Sequence, residues 1–147
     1  MSCITVRGCP IGTGRPKVIL PIVEESEAAI LAQGRAFAAL PADCVEFRAD
    51  WFGNWRDAAA LSRCLTGLRE ALGEKLLLVT LRTRAEGGRA DASFPDYAAF
   101  CRRVWESGCA DLLDLEFFTA GEALPGLIAQ AHAHGTAVVC SSHDFAK

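Results

Sequence analysis

A chain of 147 residues is long enough for one domain with a real hydrophobic core. Hydrophobic residues make up 51% of it and charged residues 22%, and the net charge of −3 leaves no basic surface for nucleic acid or an anionic membrane. The longest apolar runs, such as Leu76-Leu77-Leu78-Val79, are too short to cross a bilayer, and Met1 to Arg7 has no signal-peptide core. Seven cysteines without a CxxC pair read as free thiols of a reducing cytoplasm rather than a disulfide scaffold. Cys44 and Cys140 fall on predicted strands and are expected to be small buried apolar residues.

In chain order, Ile4-Thr5-Val6 and Gly8 to Ile11 form a short predicted hairpin, and Gly12 to Arg15 a loop. Residues 1–15 are thus expected to precede the main fold, which occupies 16–147 as a single domain. Lys17 to Leu20 is a β-branched apolar run, a first core strand that Pro21 can end. Glu24 to Leu40 has helical spacing of its apolar residues, and Pro41-Ala42-Asp43 breaks it. Cys44 to Asp50 is a second strand. Asp57 to Leu72 is a second helix, closed by Gly73.

Lys75 to Leu81 is a third strand, followed by a polar, glycine-containing loop over Thr83 to Asp91. The Gly87-Gly88 pair is expected to let that loop turn sharply and move. Ser93 caps a third helix that runs to Gly108, with Pro95 in its first turn. Leu112 to Leu115 is a fourth strand and Gly121 to His134 a fourth helix. Ala137 to Cys140 is a fifth strand, predicted to be buried.

Strand and helix alternate at about 30-residue spacing, which implies parallel strands joined by right-handed crossovers. Two architectures share this order: an open doubly wound sheet and an eight-stranded barrel. The turn after the first strand, Pro21-Ile22-Val23-Glu24, has no glycine, unlike a dinucleotide-binding sheet. The expectation is therefore an α/β chain of the (β/α)8 TIM-barrel class. It would cover a prefatory hairpin and roughly the first five strands and four helices, since a closed barrel takes about 200 residues or more.

Charged residues gather at the carboxyl ends of these strands, where α/β enzymes place their sites. Glu46, Arg48 and Asp50 share one parity and so one face. Arg82 follows the third strand, with Glu86 in the loop beyond it. Arg82 can clamp a carboxylate or hydroxyls in bidentate fashion. Asp114 and Glu116 share the same lumen-facing parity, and an ion pair from Glu116 to Arg82 or Arg48 is the plainer reading of Glu116. His143 is the only histidine at a strand end, which suits proton transfer near neutral pH. His132 and His134 sit in the last turn of a helix, where a cation suits the dipole.

Taken together, Glu46-Phe47-Arg48-Ala49-Asp50, Thr80-Leu81-Arg82, Glu86-Gly87-Gly88, Asp114-Leu115-Glu116 and Ser142-His143-Asp144-Phe145 resemble type I 3-dehydroquinate dehydratase, a shikimate-pathway enzyme. The resemblance is colinear over almost the whole chain. It implies a (β/α)8 barrel, usually a homodimer, that uses no metal or cofactor. Such an enzyme dehydrates 3-dehydroquinate to 3-dehydroshikimate through a lysine Schiff base. By resemblance, His143 is the general acid/base and Glu86 its orienting partner. Glu46, Arg48 and Arg82 would bind the substrate's hydroxyls and ketone region.

The family's Schiff-base lysine has no counterpart among the three lysines here, Lys17, Lys75 and Lys147. The expectation is therefore the N-terminal portion of the enzyme, inactive alone. Homodimerisation or self-association through open sheet edges is also expected. Two other readings stay open: a metal-dependent barrel lyase or isomerase using Glu46, Asp50, Asp114, Glu116 and His143, or a non-catalytic half-barrel that binds or assembles.

Overall fold

The computed structural model describes residues 2–146; Lys147, one of the three lysines weighed above, lies outside them. Arg7 and Gly8 both adopt positive φ, 45° and 73°, as a tight two-residue hairpin turn requires. They join β1 (Ile4–Val6) to β2 (Cys9–Ile11) in antiparallel register.

Five strands follow: β3 (Ile19–Ile22), β4 (Cys44–Arg48), β5 (Leu76–Thr80), β6 (Leu112–Glu116) and β7 (Ala137–Ser141). All pair in parallel, in the order β3-β4-β5-β6-β7. Each crossover therefore steps one strand in the same direction. A doubly wound sheet reverses its order at a switch point; a barrel does not. The observed order is that of a (β/α)8 barrel, of which this chain forms part.

The crossovers carry α1 (Glu27–Ala38), α2 (Ala58–Leu72), α3 (Phe94–Ser107), a one-turn α4 (Phe117–Ala120) and α5 (Leu124–Ala133). Ser26, Asp57 and Ser93 cap the first three by accepting backbone N–H groups of the first turn. The predicted helix over 121–134 opens as a 3-10 turn, Gly121–Ala123, and is α-helical over Leu124–Ala133, with α4 as an additional turn before it. Gly121 leaves α4 at φ 51° and opens a short 3-10 turn before α5, so the crossover holds two helices rather than one.

Alternation along the strands sorts the two faces. Val45, Phe47, Leu77, Val79, Leu113 and Leu115 point outward into the main core, against α1, α2 and α3. The opposite face is split by height. At the amino end, Cys44, Leu76, Leu78 and Leu112 form a second apolar cluster, sealed by Val6, Cys9 and Ile11 of the hairpin. At the carboxyl end the same parity delivers Glu46, Arg48, Thr80, Asp114 and Glu116. The hairpin thus covers the apolar floor, and the site sits above it.

Three expectations are corrected. Pro21 lies within β3 rather than ending it; β3 is an edge strand, so the missing N–H costs no ladder bond. Asp50 is not on the strand. It lies in a 3-10 turn, Ala49–Trp51, directly after β4. β7 is half-buried to exposed rather than buried, and Cys140 is exposed, because β7 is the other edge of the sheet.

Candidate active site

Glu46 and Arg48 rise from the carboxyl end of β4 on the inner face. Glu46 Oε1 accepts a hydrogen bond from Thr80 Oγ1 of β5 at 2.7 Å. Arg48 forms a fork with Asp50, through Nε at 2.8 Å and Nη2 at 2.9 Å. The 3-10 turn is what brings Asp50 back under Arg48. Asp50 also accepts the backbone N–H of Arg89 at 3.0 Å, tying the loop after β5 to the loop after β4. The Arg89 guanidinium lies 3.2 Å above the Trp51 ring and reaches Glu25 at 2.9 Å.

Arg82 is the hub of the site. Its Nη1 donates to Glu116 Oε1 at 3.1 Å and to Ser141 Oγ at 2.9 Å, and its Nη2 donates to Asp114 Oδ2 at 3.1 Å. Ser141 Oγ in turn donates to Asp114 Oδ1 at 2.7 Å. Burial works against the guanidinium charge, but Asp114 and Glu116 more than offset it and raise Arg82 above its ordinary value. Glu116 is fully buried. It also accepts from Thr83 N, Thr83 Oγ1 and Thr119 Oγ1, at 2.9, 2.7 and 2.6 Å. A buried carboxylate is tolerable here because each oxygen is satisfied.

Glu86 and His143 are 57 residues apart in sequence and meet across the site. Glu86 Oε2 accepts the backbone N–H of His143 at 3.0 Å and lies 2.9 Å from its Nδ1. An ionised carboxylate only accepts, so toward Glu86 the imidazole Nδ1 is the donor. The His143 side chain is 38% exposed, and Glu86 is 4% exposed. The ring of Phe145 stacks on His143 at 6.3 Å and 13°.

Glu86 sits in a hydrogen-bonded turn. It ends a 3-10 turn, Arg84–Glu86, closed by Gly87 at φ 84°. Thr83 O accepts from both Glu86 N and Gly88 N. Gly87 makes the left-handed turn, and Gly88 packs against the Arg82 backbone.

The five residues singled out from sequence all lie at the carboxyl end of the sheet. Glu86 and His143 are in direct contact, and Arg82 stands 3.7 Å from Glu86. Glu46 joins them through Thr80, and Arg48 through Asp50 and the Arg89 loop. Thr83, Thr119, Tyr97, Ser141 and Arg89 were not foreseen as supports of the site. Thr80 and Thr83 had one signal available, their place on either side of Arg82 at a strand end; Tyr97 had none. The carboxylates Glu86, Asp114 and Glu116 converge on a guanidinium. Among the described residues, no three His, Cys, Asp or Glu side chains are arranged to hold a metal ion.

The sequence profile described as Type I 3-dehydroquinase matches residues 18–147. The chain belongs to the type I 3-dehydroquinase family. The 3-dehydroquinate dehydratase of Escherichia coli O157:H7 (strain EC4115 / EHEC) is 36% identical over all 147 residues, which span 58% of that relative. The 3-dehydroquinate dehydratase of Bacillus subtilis (strain 168) is 35% identical over the same share. Among solved structures, the Clostridium difficile type I enzyme, with covalently modified comenic acid, superposes at a TM-score of 0.96 and 29% identity, over 99% of this chain and 57% of that one. The Enterococcus faecalis 3-dehydroquinate dehydratase superposes at 0.93 and 37% identity, over 98% and 60%. The chain thus spans under two thirds of the length of these relatives.

Proposed function

We propose that this chain supplies the proton-transfer half of a 3-dehydroquinate dehydratase site. The observation that carries the reading is the His143–Glu86 pair: a partly exposed imidazole whose Nδ1 is held by a buried carboxylate, which in this reading leaves Nε2 to act as the base. His143 Nε2 takes the proton from the carbon next to the substrate's ketone carbon. The same proton then returns to the departing hydroxyl, so that water leaves and His143 is restored. Glu86 fixes the tautomer and steadies the imidazolium between the two steps. Glu46, Arg48 and Arg82 present acceptors and donors to the substrate's hydroxyls and ketone region. In this reading the ketone is activated as a lysine Schiff base, which makes the adjacent proton acidic.

Neither described lysine suits that amine. Lys75 Nζ donates to Leu40 O at 2.6 Å and Ala42 O at 2.8 Å, at the amino end of the sheet. Lys17 precedes β3, at the same end. The isolated chain is accordingly proposed to bind without turnover. We further infer that it self-associates through its edge strands, where Ile19 and Val139 are exposed. Its seven free thiols accord with a reducing cytoplasm. Among the described residues, no helix is long and apolar enough to cross a membrane.

The test joins the chain to the part of the Escherichia coli relative that it does not cover. That chimaera should dehydrate 3-dehydroquinate, and H143A should lower kcat by on the order of 10²–10⁴-fold. Borohydride with substrate should leave the mass of the isolated chain unchanged and trap an adduct on the added part of the chimaera. An H143A chimaera of undiminished kcat would refute the role of His143. A trapped adduct on the isolated chain would refute the division of labour.

A further inference from the structure

The pair that carries the proposed chemistry leaves one thing undone. Glu86 Oε1 is buried and has no hydrogen-bond partner among the described residues, while Oε2 accepts twice from His143. A buried, unpartnered carboxylate oxygen is costly and draws any nearby donor. The nearest cation is Arg82, whose Nη1 lies 3.7 Å from Glu86 Oε2, beyond hydrogen-bond range. A small rotation of the guanidinium would satisfy Glu86 with a fork, the strongest pairing a carboxylate makes. Arg82 does not make it. Both hydrogens of Nη1 are committed, one to Glu116 Oε1 and one to Ser141 Oγ, and Nη2 is held by Asp114.

Of these three partners, Glu116 is the most firmly anchored. Thr83 and Thr119 fix both its oxygens, and its backbone N–H donates to the buried Tyr97 hydroxyl at 2.9 Å. It therefore cannot follow Arg82 if the guanidinium moves. It also grips Thr83, the residue whose carbonyl closes the turn that carries Glu86. Glu116 thus grips both the Arg82 guanidinium and the residue that closes the Glu86 turn.

We propose that Glu116 is a positioning residue: by holding the Arg82 guanidinium, it keeps Glu86 free for His143. The inference rests on the proton-transfer reading for its consequence, but its test needs no substrate. When the negative charge of Glu116 is removed, Arg82 turns to Glu86, and the His143 Nδ1–H loses its acceptor.

The readout is the His143 Nδ1–H resonance of the 147-residue chain, labelled with 15N-histidine and assigned by its loss in E86Q. The parent should show a downfield proton protected from water. In E116Q its exchange with water should rise by on the order of tenfold, the effect of weakening one charge-assisted bond. In E116Q/R82Q the protection should return, because the competing cation is gone. A merely structural role for Glu116 would not be rescued by a second substitution in the same network. Should E116Q fail to fold, D114N takes its place, since Asp114 holds the other guanidinium nitrogen. Protection unchanged in the single variant, protection not restored in the double variant, or a parent without the resonance would each overturn the proposal. None of these outcomes depends on whether the chimaera dehydrates 3-dehydroquinate, so the two readings fail separately.

Discussion

A Cβ added to Gly88 would lie 2.2 Å from the backbone carbonyl oxygen of Arg82. That carbonyl also accepts the N–H of Ala90 at 3.1 Å, so the loop folds back tightly on the end of β5. Backbone cannot yield as a side chain can. G88A should therefore cost about 3 kcal/mol or more, at the upper end of overpacking penalties. G87A meets a softer obstacle. Its φ of 84° costs about 1–2 kcal/mol for any L-residue, but the ring it would strike belongs to the exposed Phe145. Urea unfolding should rank the two variants in that order, and equal midpoints would contradict it.

Tyr97 reaches from α3 to accept the backbone N–H of Glu116, and both residues are buried. Y97F keeps the volume and strands that N–H, which should cost about 1–3 kcal/mol. Burial also drives the phenol well above its ordinary value. Its proton is therefore retained in the folded state and released in the unfolded one, so stability falls as pH rises past about 10. Tyr97 is the only tyrosine in the chain. Alkaline titration should show tyrosinate absorbance only as the chain unfolds.

Strand parity made much of this fold legible. The alternation of Glu46 with Phe47 and of Asp114 with Leu115 separates a polar lumen from an apolar outer face, whatever closes the barrel. The resemblance carried by Glu86 and His143 brought together two residues that periodicity alone could not. What escaped the sequence lies in turns and edges. Asp50 belongs to a 3-10 turn because the chain must swing toward α2 after Arg48, and alternation cannot register where a strand stops. Cys140 is in an apolar run, but its exposure depends on which strands flank β7, a property of the sheet rather than of the run. The grip of Glu116 on Thr83 joins the end of β6 to the loop after β5, 33 residues away, so no local pattern announces it.

Asp43 fastens the entry of β3 to that of β4. It accepts a fork from Arg15 at 2.6 and 2.8 Å and the N–H of Val18 at 2.8 Å. Arg15 first, and then the Val18 N–H, hold its carboxyl down to about 2, below its ordinary 3.8. A lowered folded value means that the unfolded chain takes up the proton first as pH falls. The stabilisation is therefore complete above about pH 4 and lost as pH falls toward 2. D43N should be less stable than the parent at pH 7, and the gap should close across that acid window. A gap that persists at pH 2 would assign the effect to packing instead.

Thiol reactivity should divide the seven cysteines by position. Burial pushes Cys44 and Cys64 up to about 12 and raises Cys101 further, so none of the three offers a thiolate near neutral pH. Cys3 and Cys140 are exposed. Alkylation of the native chain followed by peptide mass analysis should find label on those two first, and on the buried three only after denaturation. Early label on Cys64 or Cys101 would mean that the interface between α2, α3 and the sheet opens readily.

Both edge strands expose apolar side chains and unpaired backbone groups. Ile19 on β3 is 47% exposed and Val139 on β7 is 37% exposed, each facing the inner side of the sheet. An edge that lacks a charge or a bulge is a template for another strand. β7 has neither: its sequence is Ala137-Val138-Val139-Cys140-Ser141. β3 has Pro21 as its only guard. In the association proposed above, β7 is the edge that two copies would share. Sedimentation velocity of the isolated chain should show weight-average mass rising with concentration, and V139K should reduce it by placing a charge on that edge. A concentration-independent monomer would refute association through the edges. Unaltered association in V139K would move the contact away from β7.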